Sequence, residues 1–220
     1  MKRITKHSQP QELIAWTHSK STNESGEPLH WNYDDMPSEV RQAVKISLIH
    51  EQGGLCCYTG RRITLEQSHI EHLKPQEKCV GHEDTEYSNL LAAYPAWNAP
   101  KNCGYGAHAK KSWYDPYLFV HPLREDCEAR LHYKWNGKIA PRNQSDPGAI
   151  ETIRQLCLDH AELEKMRKEA IHVALFEKAL TKAQAQRLMQ AMDSRDSHGH
   201  FRQFCFAIKQ ACEKYLKRFD

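Results

Sequence analysis

Short apolar runs, broken by glycine, proline and asparagine, fill residues 53–106 of the 220-residue chain. A helix is predicted before them, over residues 36–52, because its apolar side chains share one face and Gly53 ends the pattern. Helical three- and four-residue spacing returns beyond residue 147. Brief strands between helices predict an α+β fold, with a small β-containing unit inside a mostly α-helical scaffold.

Turn signals predict the remaining elements. Asn136-Gly137 stands between two β-like runs within residues 129–140, and this dipeptide favours a β-hairpin. A short helix is expected near the N-terminus, a second one from Ala107, and a last helix over about residues 199–217.

The turn sequence SDPG at residues 145–148 marks an expected boundary between residues 1–146 and 147–220. The formal net charge of +3 lies entirely beyond this boundary, since residues 1–146 carry equal numbers of acidic and basic side chains. This balance excludes a histone-like protein that binds nucleic acid by bulk charge. Any affinity of the first part for a polyanion would need local cations or a bound metal ion.

Eight cysteines and 14 histidines are more than an ordinary core explains. A disulfide framework requires a secretory setting, yet the first residues lack the apolar run of a signal peptide. No segment approaches the roughly 18–20 apolar residues of a membrane span. We therefore expect a cytoplasmic protein with reduced thiols and no membrane partner, whose histidines serve acid–base or metal chemistry.

One ordered set of residues carries the candidate chemistry. Residues 68–75 read SHIEHLKP, followed by Asn89-Leu90 and then by HAKK at residues 108–111. In an extended strand, His69 and Glu71 point to the same side. A second strand from Asn89 can return antiparallel, and a helix after residue 106 can bring its histidine over the strand pair.

Two potential metal ligands, Glu71 and His108, would then flank a free imidazole, His72. A divalent cation neutralises charge on a scissile phosphate, and one carboxylate plus one imidazole leaves coordination positions open for phosphate oxygens and water. A second imidazole can take a proton from the attacking water near neutral pH. The pattern therefore favours phosphodiester hydrolysis.

These motifs, in this order over residues 69–111, resemble the HNH (ββα-metal) endonuclease family. The resemblance implies that the metal ligands are Glu71 and His108, with one Mg²⁺ or Mn²⁺ ion bound. It also implies His72 as the general base, Asn89 as a brace for the loop that orients this base, and Lys111 as a neighbour of the phosphate.

Other residues receive supporting assignments. His69 matches a position that is often polar in the family, and we expect it in a second shell or as an auxiliary ligand. Asn98 and Asn102 compete with His108 as ligands. The candidate phosphate contacts are Arg61, Arg62 and Lys110, and the aromatic residues that could stack on bases or pack in the core are Trp113, Tyr114 and Tyr117.

A closer resemblance covers about residues 36–170. The entry GGLCCY at residues 53–58, NCG at 102–104 and the start of the C-terminal helices are similar to PtuB-like HNH proteins of Septu and retron anti-phage systems. This implies a nuclease finger over about residues 55–115 and a PtuA-like ABC/SMC-type ATPase partner. It also implies a possible association with a retron reverse transcriptase and its RNA or DNA. The helical region 147–220 would then be either a scaffold that covers one face of the nuclease or the docking surface for this ATPase.

The sequence departs from many HNH relatives, which hold a structural zinc ion with two Cys-x-x-Cys pairs. Cys56 is present, but Thr59 stands where the second thiolate would be, and Cys103 is isolated. We therefore expect no structural zinc, with Cys56 and Cys103 as the residual candidate ligands. Three alternatives stay open: a zinc-stabilised binding module with a decayed nuclease site, a structured RNA substrate such as tRNA, and activity only within the ATPase complex.

Overall fold

Helices dominate the described part of the chain, and the strands there form two separate antiparallel pairs. The computed structural model describes residues 1–20, 30–99, 102–177 and 179–219. Within those ranges the helices are α1 Gln11–Ser19, α2 Ser38–Glu51, α3 Ala107–Lys110, α4 Cys127–Arg130, α5 Pro147–Gln155, α6 Ala161–Leu175, α7 Lys182–Ala191 and α8 Cys205–Leu216. The strands are β1 His69–His72, β2 Leu90–Ala93, β3 Leu131–Tyr133 and β4 Ile139–Pro141. None of the helices in these ranges is long and apolar enough to cross a bilayer.

The β1–β2 pair brings the first two predicted motifs together, since His69–His72 forms β1 and β2 follows Asn89. Its register runs from His69 opposite Ala93 to His72 opposite Leu90, which confirms the predicted antiparallel return. Strand β2 is buried throughout, and its far edge is satisfied by the Gln52 amide after α2. That amide donates to the Ala92 carbonyl at 2.8 Å and accepts from the Ala92 N–H at 2.8 Å. A buried strand edge is thereby left without orphaned backbone groups.

The mixed α+β composition agrees with the sequence analysis, and so do the helix predicted over 36–52 and the hairpin at Asn136-Gly137. One boundary is wrong, and so is the expectation of several short strands after α2. The last helix begins at Cys205 rather than near 199, because Asp196 accepts hydrogen bonds from the backbone of His198 and His200 and holds a turn there. Residues 55–75 contain β1 and one isolated bridge rather than several strands.

The expected finger is represented by β1, β2 and α3 in chain order, but α3 is a single turn of four residues. It ends because Lys111 adopts a left-handed φ of 49°, a conformation that does not continue a right-handed helix. The complete ββα-metal finger therefore stays a prediction.

The C-terminal segment packs directly on the first half. Gly53 and Gly60 lie so close to the rings of Phe201 and Phe206 that a Cβ at either glycine would overlap them. The expected boundary at 145–148 coincides with the start of α5, where the Asp146 side chain accepts from the Ala149 N–H at 3.1 Å. The division into two domains stays a prediction.

Replacing Gly137 by alanine should destabilise the fold by roughly 2–4 kcal/mol. Gly137 has φ of 84°, and a Cβ there would overlap the backbone oxygen of Glu164 in α6. Gly81→Ala is the matched control, because Gly81 is also left-handed (φ 63°) but has nothing within 4 Å of an added Cβ. Urea unfolding should show a loss of only about 1 kcal/mol for that control. Equal losses would show that the contact with α6 is unimportant.

Candidate active site

The carboxylate of Glu71 lies at the centre of the candidate site. Its Oε1 accepts a hydrogen bond from the Tyr58 hydroxyl at 3.2 Å and pairs with Lys110 Nζ at 2.9 Å, while Oε2 lies 3.4 Å from His69 Nε2. Burial would raise the pKa of the Glu71 carboxyl, but the bond with His69 and the charge of Lys110 outweigh it and lower the pKa. The carboxylate is therefore ionised at neutral pH.

Lys110 ties α3 to β1 rather than facing solvent. It is 2% exposed, and its ammonium also donates to the His72 carbonyl oxygen at 2.9 Å. The expectation that Lys110 contacts phosphate does not agree with this position, because both of these partners hold the ammonium inside the protein.

His69 is oriented toward Glu71 by a backbone carbonyl. Its Nδ1 bonds to the Pro95 oxygen, and since a carbonyl can only accept, Nδ1 carries a proton. Burial would lower the pKa of His69, but the bonds to Glu71 and Pro95 outweigh it, so the pKa is raised. In the neutral ring, the Nε2 lone pair faces Glu71 Oε2.

This pair suits two ligands of a divalent cation. A metal-binding histidine commonly donates its other ring nitrogen to a carbonyl, as His69 does to Pro95. A carboxylate with one or two imidazoles accepts Mn²⁺ readily and Mg²⁺ when water completes the shell. Among the residues that the structure describes, however, no three His, Cys, Asp or Glu side chains are arranged to hold a metal ion.

His108, the second predicted ligand, is engaged elsewhere. Its Nδ1 accepts from the Cys103 N–H at 3.2 Å, so in the neutral ring Nε2 carries the proton. Burial lowers the pKa of His108, and the nearby charge of His69 lowers it further. The competing Asn102 side chain accepts from the Gly104 N–H at 2.8 Å.

His72 has the geometry of a general base, because one of its ring nitrogens has no hydrogen-bond partner among the residues that the structure describes. Its Nε2 donates to the backbone oxygen of Asp84 at 2.8 Å, and the ring of Tyr33 packs edge-on with centroids 4.5 Å apart. Burial lowers the pKa of His72, although the Asp84 carbonyl and the charge of Glu71 partly offset this. The ring is therefore neutral near pH 7, and its Nδ1 is the nitrogen that can accept a proton.

Asn89 holds the loop that provides the Asp84 carbonyl. Its Oδ1 accepts from the Lys74 N–H at 2.8 Å, and its Nδ2 donates to the carbonyls of Lys74 at 3.1 Å and Glu83 at 3.0 Å. These bonds clamp both ends of the segment between β1 and β2. The side chain of Asp84 adds a further anchor by accepting from the Tyr33 N–H at 2.8 Å.

An open groove of about 730 Å³ runs along strand β1. One wall is formed by β1 and the other by the start of α2. The residues that line the groove include His69, His72, Tyr33, Asp34, Arg41, Lys45, Glu66 and Trp97.

The other predicted phosphate contacts lie in different surroundings. Arg61 stacks over Tyr94 at 3.8 Å and pairs with Glu162 of α6 at 3.2 Å. Arg62 donates to the carbonyls of Gly53 and Gly54 in the first part of the chain and of Phe201 in the C-terminal part. Lys111 is exposed at the end of α3. The two arginines thus connect the halves of the chain.

The candidate zinc thiols have ordinary hydrogen-bond partners. Cys56 Sγ accepts from the Tyr94 N–H at 3.3 Å, and Cys103 Sγ lies 3.7 Å from His108 Nδ1. All eight cysteines are free thiols. Trp113 and Tyr114 pack against Phe119, consistent with a core role.

The sequence did not predict four features of the site. These are the contacts of Tyr33, Tyr58 and Asp84, and the burial of Lys110. Asp84 acts through a main-chain oxygen, which no side-chain pattern reveals. Tyr58 and Tyr33 lie outside residues 68–75 in the sequence, and only the fold brings them into contact with Glu71 and His72. For Lys110, the signal would have been a lysine facing a buried acid, and burial is not visible in the sequence.

No family model matches the chain. A protein of Vibrio cholerae serotype O1 biovar El Tor, named "Retron Vc95 putative HNH endonuclease", is 27% identical to it over 144 residues, covering 62% of this chain and 67% of that protein. The order of the motifs and the name of this relative both indicate similarity to HNH endonucleases. The similarity confirms the resemblance of this chain to HNH endonucleases in a retron context.

Proposed function

We propose that the protein is a metal-dependent endonuclease that hydrolyses phosphodiester bonds in nucleic acid, with His72 as the general base. One observation carries the proposal: His72 Nε2 is held by the Asp84 carbonyl at 2.8 Å, and the half-buried Glu71 precedes His72 in strand β1. A ring held in this way presents one chosen nitrogen, Nδ1, to a water molecule. The similarity to the retron protein supports the same chemistry.

The proton movements follow from these contacts. Nδ1 of His72 takes a proton from the attacking water as its oxygen bonds to phosphorus and the bond to the leaving oxygen breaks. The Asp84 carbonyl stabilises the imidazolium through its bond to Nε2–H, and the negative charge of Glu71 favours the same state. The leaving oxygen then receives a proton from water.

A divalent cation, Mg²⁺ or Mn²⁺, held by Glu71 and His108 with His69 as an auxiliary ligand, would neutralise charge on the phosphate and the leaving oxygen. His108 must turn its ring away from the Cys103 N–H to take part. Lys111 would lie near the phosphate at the exposed end of α3. Asn89 keeps the loop, and therefore the Asp84 carbonyl, in place.

We further propose DNA as the favoured substrate, with structured RNA as the alternative, within an anti-phage defence system. A PtuA-like ATPase would dock on the helical region 147–220, with retron reverse transcriptase and its nucleic acid as further partners. The name of the relative supports the retron context alone. Co-purification with the product of the neighbouring gene, followed by a nuclease assay of the complex, tests the partnership.

Replacing His72 by alanine should lower cleavage by about 10²–10⁴-fold, because the base is removed while the metal ligands remain. Folding should be preserved, and calorimetry should show unchanged Mn²⁺ binding. His198→Ala, which removes an exposed histidine outside the groove, is the control and should keep full activity. Unreduced nicking of plasmid DNA by the His72 variant would show that another group is the base.

Replacing Glu71 by glutamine should raise the Mg²⁺ or Mn²⁺ concentration needed for activity by about tenfold or more. The variant also leaves Lys110 buried without its partner, which destabilises proteins by about 3–5 kcal/mol. The double variant Glu71→Gln with Lys110→Met removes that cation and separates the two effects. It should regain stability in thermal unfolding but not metal affinity. Recovery of wild-type metal affinity would exclude Glu71 as a ligand.

Replacing Asn89 by alanine should lower kcat by about tenfold to a hundredfold, because the loop that positions His72 loses three hydrogen bonds to its backbone. Metal affinity should change little, since Glu71 and His69 lie on β1. Ser88→Ala, at the exposed neighbouring position, is the control. A variant that loses metal binding and kcat together would indicate collapse of the site rather than loss of a brace.

A further inference from the structure

Trp97 is exposed in a way that the other tryptophans are not. Its side chain is 87% exposed, whereas Trp16 is buried and the remaining three, Trp31, Trp113 and Trp135, pack against the core. The indole lies at the groove beside β1, with its ring edge-on to His69 at a centroid distance of 6.2 Å. A large apolar ring kept in water next to a candidate active site is typical of a ligand-binding surface.

The groove has the size of a small ligand rather than of a double helix. Its volume of about 730 Å³ falls within the range of about 300–1,000 Å³ that small-molecule sites occupy. His72 lines the wall opposite α2, so a ligand in the groove lies next to the proposed base. In a duplex the bases are stacked internally, and none can reach Trp97 without leaving the stack.

The facing helix supplies two cations one turn apart. Arg41 and Lys45 lie at i and i+4 on α2 and both line the groove. Arg41 donates from Nη2 to the carbonyls of Tyr33 at 3.0 Å and Asp34 at 2.7 Å, rather than to a carboxylate. Its Nε is buried and has no hydrogen-bond partner in the described part of the chain.

Two acids, Asp34 and Glu66, also line the groove. They balance the two cations, so bulk attraction of a polyanion does not explain binding there. Contacts to one or two phosphates combined with stacking on an aromatic ring can supply the affinity, as they do in proteins that bind single strands.

We propose that this groove binds an unpaired nucleotide, with its base stacked on Trp97 and an adjacent phosphate near Arg41 and Lys45. The substrate is then a single-stranded or looped region of nucleic acid, and the neighbouring phosphodiester lies at His72. This inference rests on the proposed nuclease function and specifies its substrate class.

Binding without turnover tests the proposal. The full chain carrying His72→Ala is titrated into fluorescein-labelled single-stranded DNA, single-stranded RNA of the same sequence, and the matching DNA duplex, with anisotropy as the readout. Adding Trp97→Ala should weaken single-strand binding by about 5- to 100-fold, whereas Trp97→Phe should keep most of it. Phe219→Ala is the control, because Phe219 is also an exposed aromatic residue (44%) but does not line the groove. The DNA and RNA titrations identify which sugar is preferred.

Lys45→Gln should weaken binding to every single strand and reduce the slope of log Kd against log salt by about 0.7, as expected when one phosphate contact is lost. Equal binding by the Trp97→Ala and Phe219→Ala variants overturns the proposal. So does duplex binding that is as tight as single-strand binding and independent of Trp97, or no measurable binding of any single strand.

A parallel cleavage assay with intact His72 separates this inference from the proposed function. If the protein with intact His72 cleaves nucleic acid but Trp97→Ala does not weaken binding, the groove assignment is refuted and the proposed nuclease function stands. Binding that depends on Trp97 without cleavage under any Mg²⁺ or Mn²⁺ condition supports the groove and refutes the nuclease.

Discussion

The ion pair between the half-buried Glu71 and the buried Lys110 joins the two elements that carry the candidate site. Strand β1 and helix α3 are each only four residues long, too short to hold a geometry by themselves. Lys110 Nζ reaches both the Glu71 carboxylate and the His72 carbonyl, each at 2.9 Å. Removing either partner would leave a charge in a dry environment, so the pair is costly to break. The position of α3 over β1 depends on this constraint.

The proposed base, His72, is positioned by a second set of interactions, which consists mostly of hydrogen bonds to backbone groups. Asn89 clamps the loop between the strands, the loop presents the Asp84 carbonyl, and that carbonyl sets the tautomer of His72. Tyr33 then packs on the ring from outside the loop. The site is therefore precise even though its strands are short, because each group is held by another that is itself hydrogen-bonded.

The C-terminal helices support the same region. Glu162 of α6 bonds to the Tyr105 hydroxyl at 3.0 Å and to Arg61 at 3.2 Å, and Tyr105 lies in the segment that leads into α3. A partner that moved α6 would act on the approach to His108. Arginines predicted to contact phosphate thus serve to connect the two halves. Charge alone does not distinguish a phosphate contact from a structural one.

Local signals were enough to predict helix α2, the hairpin at Asn136-Gly137 and the antiparallel β1–β2 return, since periodicity and turn preferences act over a few residues. The sequence by itself also determined the order and spacing of Glu71, His72, Asn89 and His108, because the motif lies in the chain. Only the tertiary structure decided that Lys110 is buried, that a main-chain oxygen of Asp84 orients the base, and that Trp97 stands exposed at the groove. The physical reason is that burial and hydrogen-bond partners arise between segments far apart in sequence, which no local pattern encodes.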